Sequence, residues 1–403
     1  MEKLMILGAS IYQVPLIRTA GRMGLQTIVA SIPGDYPGFS DADKVYFINT
    51  TDKAGILEVA RAEGISGICT SGTDVAVATI GYVNEQMGLA GVSEAAAVRA
   101  CDKYEMKEAF RQGGVSASRF IKVTTPEEAY KAADEIGYPV VVKCVDSSGS
   151  RGINVVESRE HLREAYNEAV KYSRQKYVLV EEKLGGVEIG VDGMVQDGEI
   201  RLIAPHQKYT YKYNGATIPA GHSYPYYCSD RVRAEIEHQV SLAVRALGLD
   251  NCAFNSDVFV DGEDVYIIEM GGRAGATCIP ELTSIHYGFD FYEKMIQNAL
   301  GLKVDLDAGD ERVPCMAKLL MSPVDGTISD IDEARFDELR AEGNVIALDY
   351  GVGHAVEKMY NGTTRIGHII ARTDDEAAVD AIMDEIYGAI CVDGKNMKEL
   401  WNR

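Results

Sequence analysis

The sequence predicts a multidomain protein of mixed α/β and α+β class, and three observations carry that prediction. The chain has 403 residues, too many for one ordinary core, so two to four domains are expected. Its first hundred residues alternate short apolar runs with stretches of helical spacing, as a parallel sheet with helices on both faces requires. Beyond residue 101 the order changes to long strands and hairpins, and residues 301–403 read as a last α+β unit.

The elements follow in order. Strands are expected at 4–8, 26–32, 45–49 and 67–70, with helices at 11–23, 53–63 and 74–87 between them. Next come a helix at 102–112, a strand at 120–123, a helix at 126–136 and a strand at 139–144. A polar glycine loop, a strand, a helix at 159–172 and a strand at 178–181 lead to long strands at 187–195, 199–206 and 218–226. A helix at 230–247 precedes a hairpin of 251–260 with 264–270. The last unit has strands near 317–321 and 365–372 and a helix at 374–386.

Composition narrows the function classes. Hydrophobic content of 46% and charged content of 25% describe a well-packed soluble chain. No apolar run is long enough to span a bilayer, and Met1-Glu2-Lys3 leads straight into a strand, so neither membrane anchoring nor a signal peptide is expected. A net charge of −21 without a basic patch opposes nucleic-acid partners. The eight cysteines form no Cys-x-x-Cys pair and no zinc spacing. They read as buried free thiols and fit a cytoplasmic location. Gly8-Ala9-Ser10 lacks the Gly-x-Gly-x-x-Gly spacing, and the second strand ends Val29-Ala30-Ser31 without a ribose-holding acid. A dinucleotide site is therefore not expected.

Chemistry concentrates at four places. The strand Val140-Val141-Val142-Lys143 ends on a lysine, and Asp146-Ser147-Ser148-Gly149-Ser150-Arg151-Gly152 follows. A lysine beside a small-residue loop can cradle phosphates, the backbone N–H groups wrapping oxygens while the ammonium neutralises charge. The strand Val178-Leu179-Val180 turns abruptly acidic at Glu181-Glu182-Lys183-Leu184, with Glu188 beyond. Such a strand end can offer backbone groups to a base edge and an acid to ribose hydroxyls. Asp257 and Glu269 interrupt the apolar strands of the hairpin around Asp261-Gly262-Glu263-Asp264. With a three-residue loop centred on Glu263 they lie directly opposite each other, on the face that also carries Asn255. Two opposed carboxylates favour a cation between them, and Mg²⁺ with bridging phosphate oxygens suits that place. Gly271-Gly272-Arg273-Ala274-Gly275 then brings an arginine to the same point.

Lys103, Lys143, the 146–152 loop, residues 181–184, Asp257, Glu269 and Arg273, in that order, resemble the ATP-grasp superfamily. The resemblance is to the branch with biotin carboxylase, the carbamoyl-phosphate synthetase large chain and the L-amino-acid ligases, and it covers essentially the whole chain. It implies a Rossmann-like pre-ATP-grasp domain at 1–101 and an ATP-grasp subdomain with a glycine-rich lid at 102–184. A second subdomain with the metal hairpin at 185–300 and a C-terminal α+β domain at 301–403 complete it. It further implies that Lys103, Lys143, Ser148, Gly149 and Gly152 hold ATP phosphates. Glu181, Glu182 and Leu184 would meet adenine, and Glu188 ribose. Asp257 and Glu269 would bind Mg²⁺, with Mn²⁺ admissible. Arg273, with Gly275 beside it, would steady the transferring phosphoryl and an acyl phosphate. One position departs: many members have Glu-x-Asn where this chain has Glu269-Met270-Gly271.

Residues 205–227 are aromatic and basic, and Lys208 and His222 are candidate substrate contacts. The reaction implied is carboxylate plus amine, or a thiol, plus ATP, giving ADP and phosphate through an acyl phosphate. The expected partners are a small-molecule carboxylate and a nucleophilic acceptor, and a homodimer is compatible with them. Phosphorylation of bicarbonate by a carboxylase-like enzyme, and ATP binding without turnover, are the alternatives.

Overall fold

A computed structural model of the chain describes residues 2–146, 152–213, 216–307, 311–360 and 364–401. The expected contacts of Ser148 and Gly149 lie outside the described residues. The chain divides into two compact units. The first comprises Met1–Pro205, Tyr227–Gly275 and Tyr292–Leu306, and the second comprises His206–Tyr226, Ala276–Phe291 and Asp307–Arg403.

The first unit begins with a parallel sheet in the order β3-β2-β1-β4, from β1 (Lys3–Leu7), β2 (Gln26–Ser31), β3 (Lys44–Phe47) and β4 (Gly67–Cys69). Its helices are α1 (Val14–Arg22), α2 (Lys53–Glu63), α3 (Val77–Met87) and α4 (Glu94–Cys101). The periodicity reading misses α4, an alanine-rich helix with a weak apolar stripe, capped by Ser93 accepting from the Ala96 N–H. α5 (Lys103–Gly113) starts at once, because the Asp102 carboxylate accepts from the Tyr104 and Glu105 N–H groups. That cap fixes Lys103 on the first turn.

An antiparallel sheet follows in the order β5-β8-β6-β7, from β5 (Phe120–Val123), β6 (Val140–Cys144), β7 (Ile153–Val156) and β8 (Val178–Glu182). One face packs Val140, Val142, Val156, Val178 and Val180 against α6 (Pro126–Ile136) and α7 (Leu162–Tyr172). Period-two alternation puts Lys143, Glu181, Val141, Ile153 and Val155 on the other face.

The rest of the first unit carries β9 (Val187–Gln196), the start of β10 (Glu199–Tyr213), α8 (Asp230–Leu247), β12 (Cys252–Asp261) and β13 (Asp264–Gly271). β11 (Ala216–Tyr224) belongs to the second unit. The strands run β13-β12-β9-β10, and β12 pairs with β9 from Cys252–Val195 to Val260–Val187. Gly193 sits opposite Phe254 there, and a Cβ on it would lie 2.2 Å from Phe254 Cζ and 2.3 Å from the Leu202 carbonyl oxygen. Neither the fully buried ring nor the backbone can retreat cheaply. Gly193→Ala is therefore expected to lower stability by about 1–3 kcal/mol, read as a lower urea midpoint, and an unchanged midpoint would show that these strands separate freely.

The second unit holds the rest of β10 with β11, then β14 (Cys315–Met321), β18 (Arg365–Ala371) and β16 (Val345–Leu348) as successive neighbours. A smaller sheet there includes β15 (Gly326–Ile331), β17 (Ala355–Val356) and β19 (Ile390–Val392). Its core gathers Phe336, Ile369, Val379 and Ile386 from these strands and from α11 (Glu333–Ala341) and α12 (Glu376–Gly388). The helices α9 (Ile279–Tyr287) and α10 (Phe291–Ala299) lie in a stretch the sequence reading left unassigned.

Candidate active site

The expected hairpin register is present at the site but arises differently. Asp257 pairs directly with Glu269, and Asn255 with Gly271. The turn, however, is the two-residue Gly262-Glu263, closed by the Asp261–Asp264 pair, and Ile268 is an extra residue between the Val258–Ile267 and Asp257–Glu269 pairs. This bulge, not a three-residue loop, puts the two carboxylates opposite each other. Their Cβ atoms are thereby about 4.5–5.5 Å apart.

β9 completes this face. Asp192 lies opposite Asn255, Gly190 opposite Asp257, and Glu188 opposite Phe259. Asp192 is fully buried. Its Oδ2 accepts from Asn255 Nδ2 at 2.7 Å, and its Oδ1 accepts from the Gly275 N–H at 2.8 Å. The Asn255 Oδ1 in turn accepts from Arg273 Nη1 at 3.0 Å. Both ends of the Asn255 amide are thus engaged, so it braces the arginine.

Arg273 is held from the other side by the N-terminal sheet. Its Nη2 meets Asp74 Oδ1 at 2.7 Å, and its Nε is buried without a partner. The loop bearing Asp74 is pinned by the Gly72 N–H donating to the Ala274 carbonyl at 3.1 Å. Burial opposes the guanidinium charge, but Asp74, Asp192 and Glu269 hold it above the usual arginine range. This arrangement also accounts for Gly271. A Cβ at that position would lie 2.9 Å from Asp74 Oδ1, so the carboxylate occupies space next to the missing asparagine side chain.

Lys103 joins the hairpin to the antiparallel sheet. Its backbone N–H donates to the Val145 carbonyl at 2.9 Å, just past β6, while its Nζ lies 3.0 Å from Glu269 Oε2. Burial works against its charge, yet Glu269 and Asp74 raise its proton affinity above that of an ordinary lysine. On the sheet itself, Lys143 Nζ lies 2.8 Å from Glu181 Oε1. Glu181 is buried and held ionised against that burial by Lys107 and Lys143. Its carboxylate therefore points into the fold as the partner of two lysines. Glu182 pairs with Arg119 at 3.2 Å, and Leu184 and Glu188 are half-buried. Gly152 begins the return into β7, its carbonyl accepting from the Cys144 N–H at 3.0 Å.

The sequence reading missed several contributors. Asp74 and Asp192 hold Arg273 and Asn255. Ile153 and Val155, 40% and 53% exposed, stand on the Lys143 face as an apolar wall suited to a flat ring. Asp192 had a signal, since it breaks an apolar strand four residues after Glu188 and so shares its face. Asp74 had none, because its partner is remote in sequence. Lys208 and His222 face each other across the β10–β11 hairpin in the second unit. His222 is buried, its ring 4.8 Å from His206, and burial, His206 and Lys208 push its pKa well below the ordinary value.

Among the described residues no three His, Cys, Asp or Glu side chains form a metal cage. The opposed pair Asp257–Glu269 leaves most of a cation's coordination to other oxygens, as a phosphate-bridged Mg²⁺ requires. The donor set is hard oxygen throughout, which fits that ion.

The chain resembles known proteins along most of its length. The family model described as D-ala D-ala ligase C-terminus matches residues 109–298. The carbamoyl phosphate synthase large chain of Clostridium acetobutylicum is 29% identical over 338 residues, 79% of this chain and 30% of that one. Alanine–anticapsin ligase of Bacillus subtilis is 25% identical over 309 residues, covering 69% of this chain and 65% of that one. The chain thus spans less than two thirds of either relative. Phosphoribosylglycinamide synthetase from Anaerococcus prevotii superposes with a TM-score of 0.81 at 27% identity, over 97% of this chain and 99% of that one. The chain is thus similar to ATP-grasp proteins. The fold is also that of the biotin carboxylase β,γ-ATP complex from Campylobacter jejuni, which matches with a TM-score of 0.78 at 18% identity, over 99% of this chain and 94% of that one. Among the described residues no helix is long and apolar enough to cross a membrane, and all eight cysteines are free.

Proposed function

We propose that the protein is an ATP-dependent carboxylate–amine ligase that works through an acyl phosphate. The observation that carries this reading is Lys103, tied by its backbone to the end of β6 and by its ammonium to Glu269. It links the sheet face that carries Lys143 to the hairpin face that carries Asp257 and Glu269. A polyphosphate with a divalent cation has the complementary pattern of charge. On this reading residues 1–101 precede the ATP-grasp core, 102–184 and 185–300 form its two halves, and 301–403 follow it. The free thiols fit a cytoplasmic enzyme.

Lys143 and Lys103 would hold the phosphate oxygens, and Val141, Ile153 and Val155 would exclude water from the base. Asp257 and Glu269 would hold Mg²⁺, which when bound supplies positive charge to the phosphoryl oxygens. A carboxylate oxygen attacks the γ-phosphorus, the bond to the bridging oxygen breaks, and ADP departs. The amine then attacks the acyl carbon, loses a proton, and expels phosphate. Arg273 would face the oxygens on which charge accumulates, with Asp74 and Asn255 holding its guanidinium. No side-chain nucleophile is needed. Lys208 and His222 are candidate contacts for the carboxylate or the acceptor, and His222 would act there as a neutral ring.

ADP release, measured with pools of amino acids and other small carboxylates with and without amines, tests the reading. Release that needs both a carboxylate and an amine is expected. Release driven by bicarbonate alone would replace the ligase with a carboxylase-like enzyme, and binding without release under every pool would remove the activity.

A further inference from the structure

Behind Lys143 lies a second lysine that the reaction as drawn does not use. Lys107, on the turn of α5 after Lys103, is 1% exposed. Its Nζ donates to Ser118 Oγ at 2.8 Å, and Ser118 Oγ donates to Glu181 Oε2 at 2.9 Å. The Lys107 ammonium itself lies 3.5 Å from Glu181 Oε2, while Lys143 Nζ lies 2.8 Å from Oε1. Two ammonium groups therefore share one carboxylate, and the side chains of Lys143 and Glu181 are each only 5% exposed.

A buried cluster with one more cation than anion is costly in a medium that solvates charge poorly. It can relax in two ways: Lys107 gives up its proton, or an anion arrives beside it. The groups facing Lys107 support this account. Glu181 and Lys143 come from the antiparallel sheet, and Glu269 acts from the hairpin. On α8 the neutral Gln239 accepts from the Ser116 N–H at 2.8 Å and donates to the Glu235 carboxylate at 2.8 Å. Burial and the Lys143 charge bring the Lys107 ammonium down to about 8, against the pull of Glu181.

We propose that Lys107 is a positioning residue of the nucleotide site, and that it takes up a proton when the polyphosphate binds at Lys143. This rests on the nucleotide reading above. With Lys107 neutral, the cluster presents Lys143 already balanced by Glu181. With Lys107 charged, the same cluster offers one uncompensated positive charge to the phosphates. Binding and protonation therefore favour each other by linkage. The sign is fixed: affinity is full below pH 8 and falls as the pH rises through that value. A lysine that merely filled space would leave no such trace.

The test is calorimetric titration of the whole chain with Mg-ADP at pH 8, in two buffers of different ionisation enthalpy. On the order of half a proton per nucleotide is expected to be taken up. Lys107→Met should bind nucleotide without that uptake. If that variant fails to fold, Lys107→Arg keeps the buried charge but cannot titrate in this range, and should likewise show none. Equal uptake in wild type and either variant overturns the proposal, as does wild-type binding with no uptake. Absence of nucleotide binding at every pH overturns the site reading together with the coupling.

Discussion

Glu269→Gln is expected to lower Mg-ATP turnover by on the order of 10³-fold while the protein stays folded. Glu269 is one of two opposed carboxylates, and its Oε2 also contacts Lys103 at 3.0 Å. The amide keeps the shape of the side chain but loses the charge that would hold a cation against Asp257. Its removal also takes away the ion pair with Lys103. Glu269 is 39% exposed, so the stability cost is screened and stays on the order of 1 kcal/mol. Asp257→Asn should behave alike, because a shared cation needs both charges. Steady-state ADP release across a magnesium series, beside a thermal melt, separates the two effects. Normal turnover in either variant would remove the hairpin from the metal site.

Arg273→Lys should reduce kcat by about 10²–10³ while changing nucleotide affinity much less. The guanidinium binds Asp74 through Nη2, and Asn255 and the Ala274 carbonyl through Nη1. A lysine keeps one charge but cannot hold both flanks in a plane and still meet phosphoryl oxygens. Asp74 is 32% exposed at the side chain, so its loss of a partner is tolerable to the fold. ADP titration paired with single-turnover chemistry reads the split. Near-normal kcat would assign Arg273 to the structure of the 71–74 loop alone.

How much of this was legible in the sequence varies by residue. The hairpin carboxylates were legible because two acids interrupting paired apolar strands leave few registers. The pairing was right although the turn was misread, since the bulge at Ile268 offset the shorter loop. Lys143 announced itself as a charge at the end of a buried strand. Arg273 was expected to meet phosphoryl groups, and the structure gives it protein partners that no local pattern announced, Asp74 and Asn255. Such contacts follow from docking the N-terminal sheet onto the hairpin, which no local pattern encodes. Lys107 was hidden for a similar reason. On a helix of charged residues it looks like a solvated lysine, and its burial depends on strands that pack over it later in the chain. Glu181 was expected to meet adenine as part of a strand end, and the pairing of its carboxylate with Lys143 and Lys107 was not foreseen.

The most direct test of the ligase account follows one oxygen atom. With a carboxylate substrate labelled with ¹⁸O in the carboxylate and found active by ADP release, the phosphate product is analysed by mass spectrometry. An acyl phosphate predicts one labelled oxygen in each phosphate formed, because the bond to carbon breaks when the amine attacks. Unlabelled phosphate formed together with the amide product would contradict the account.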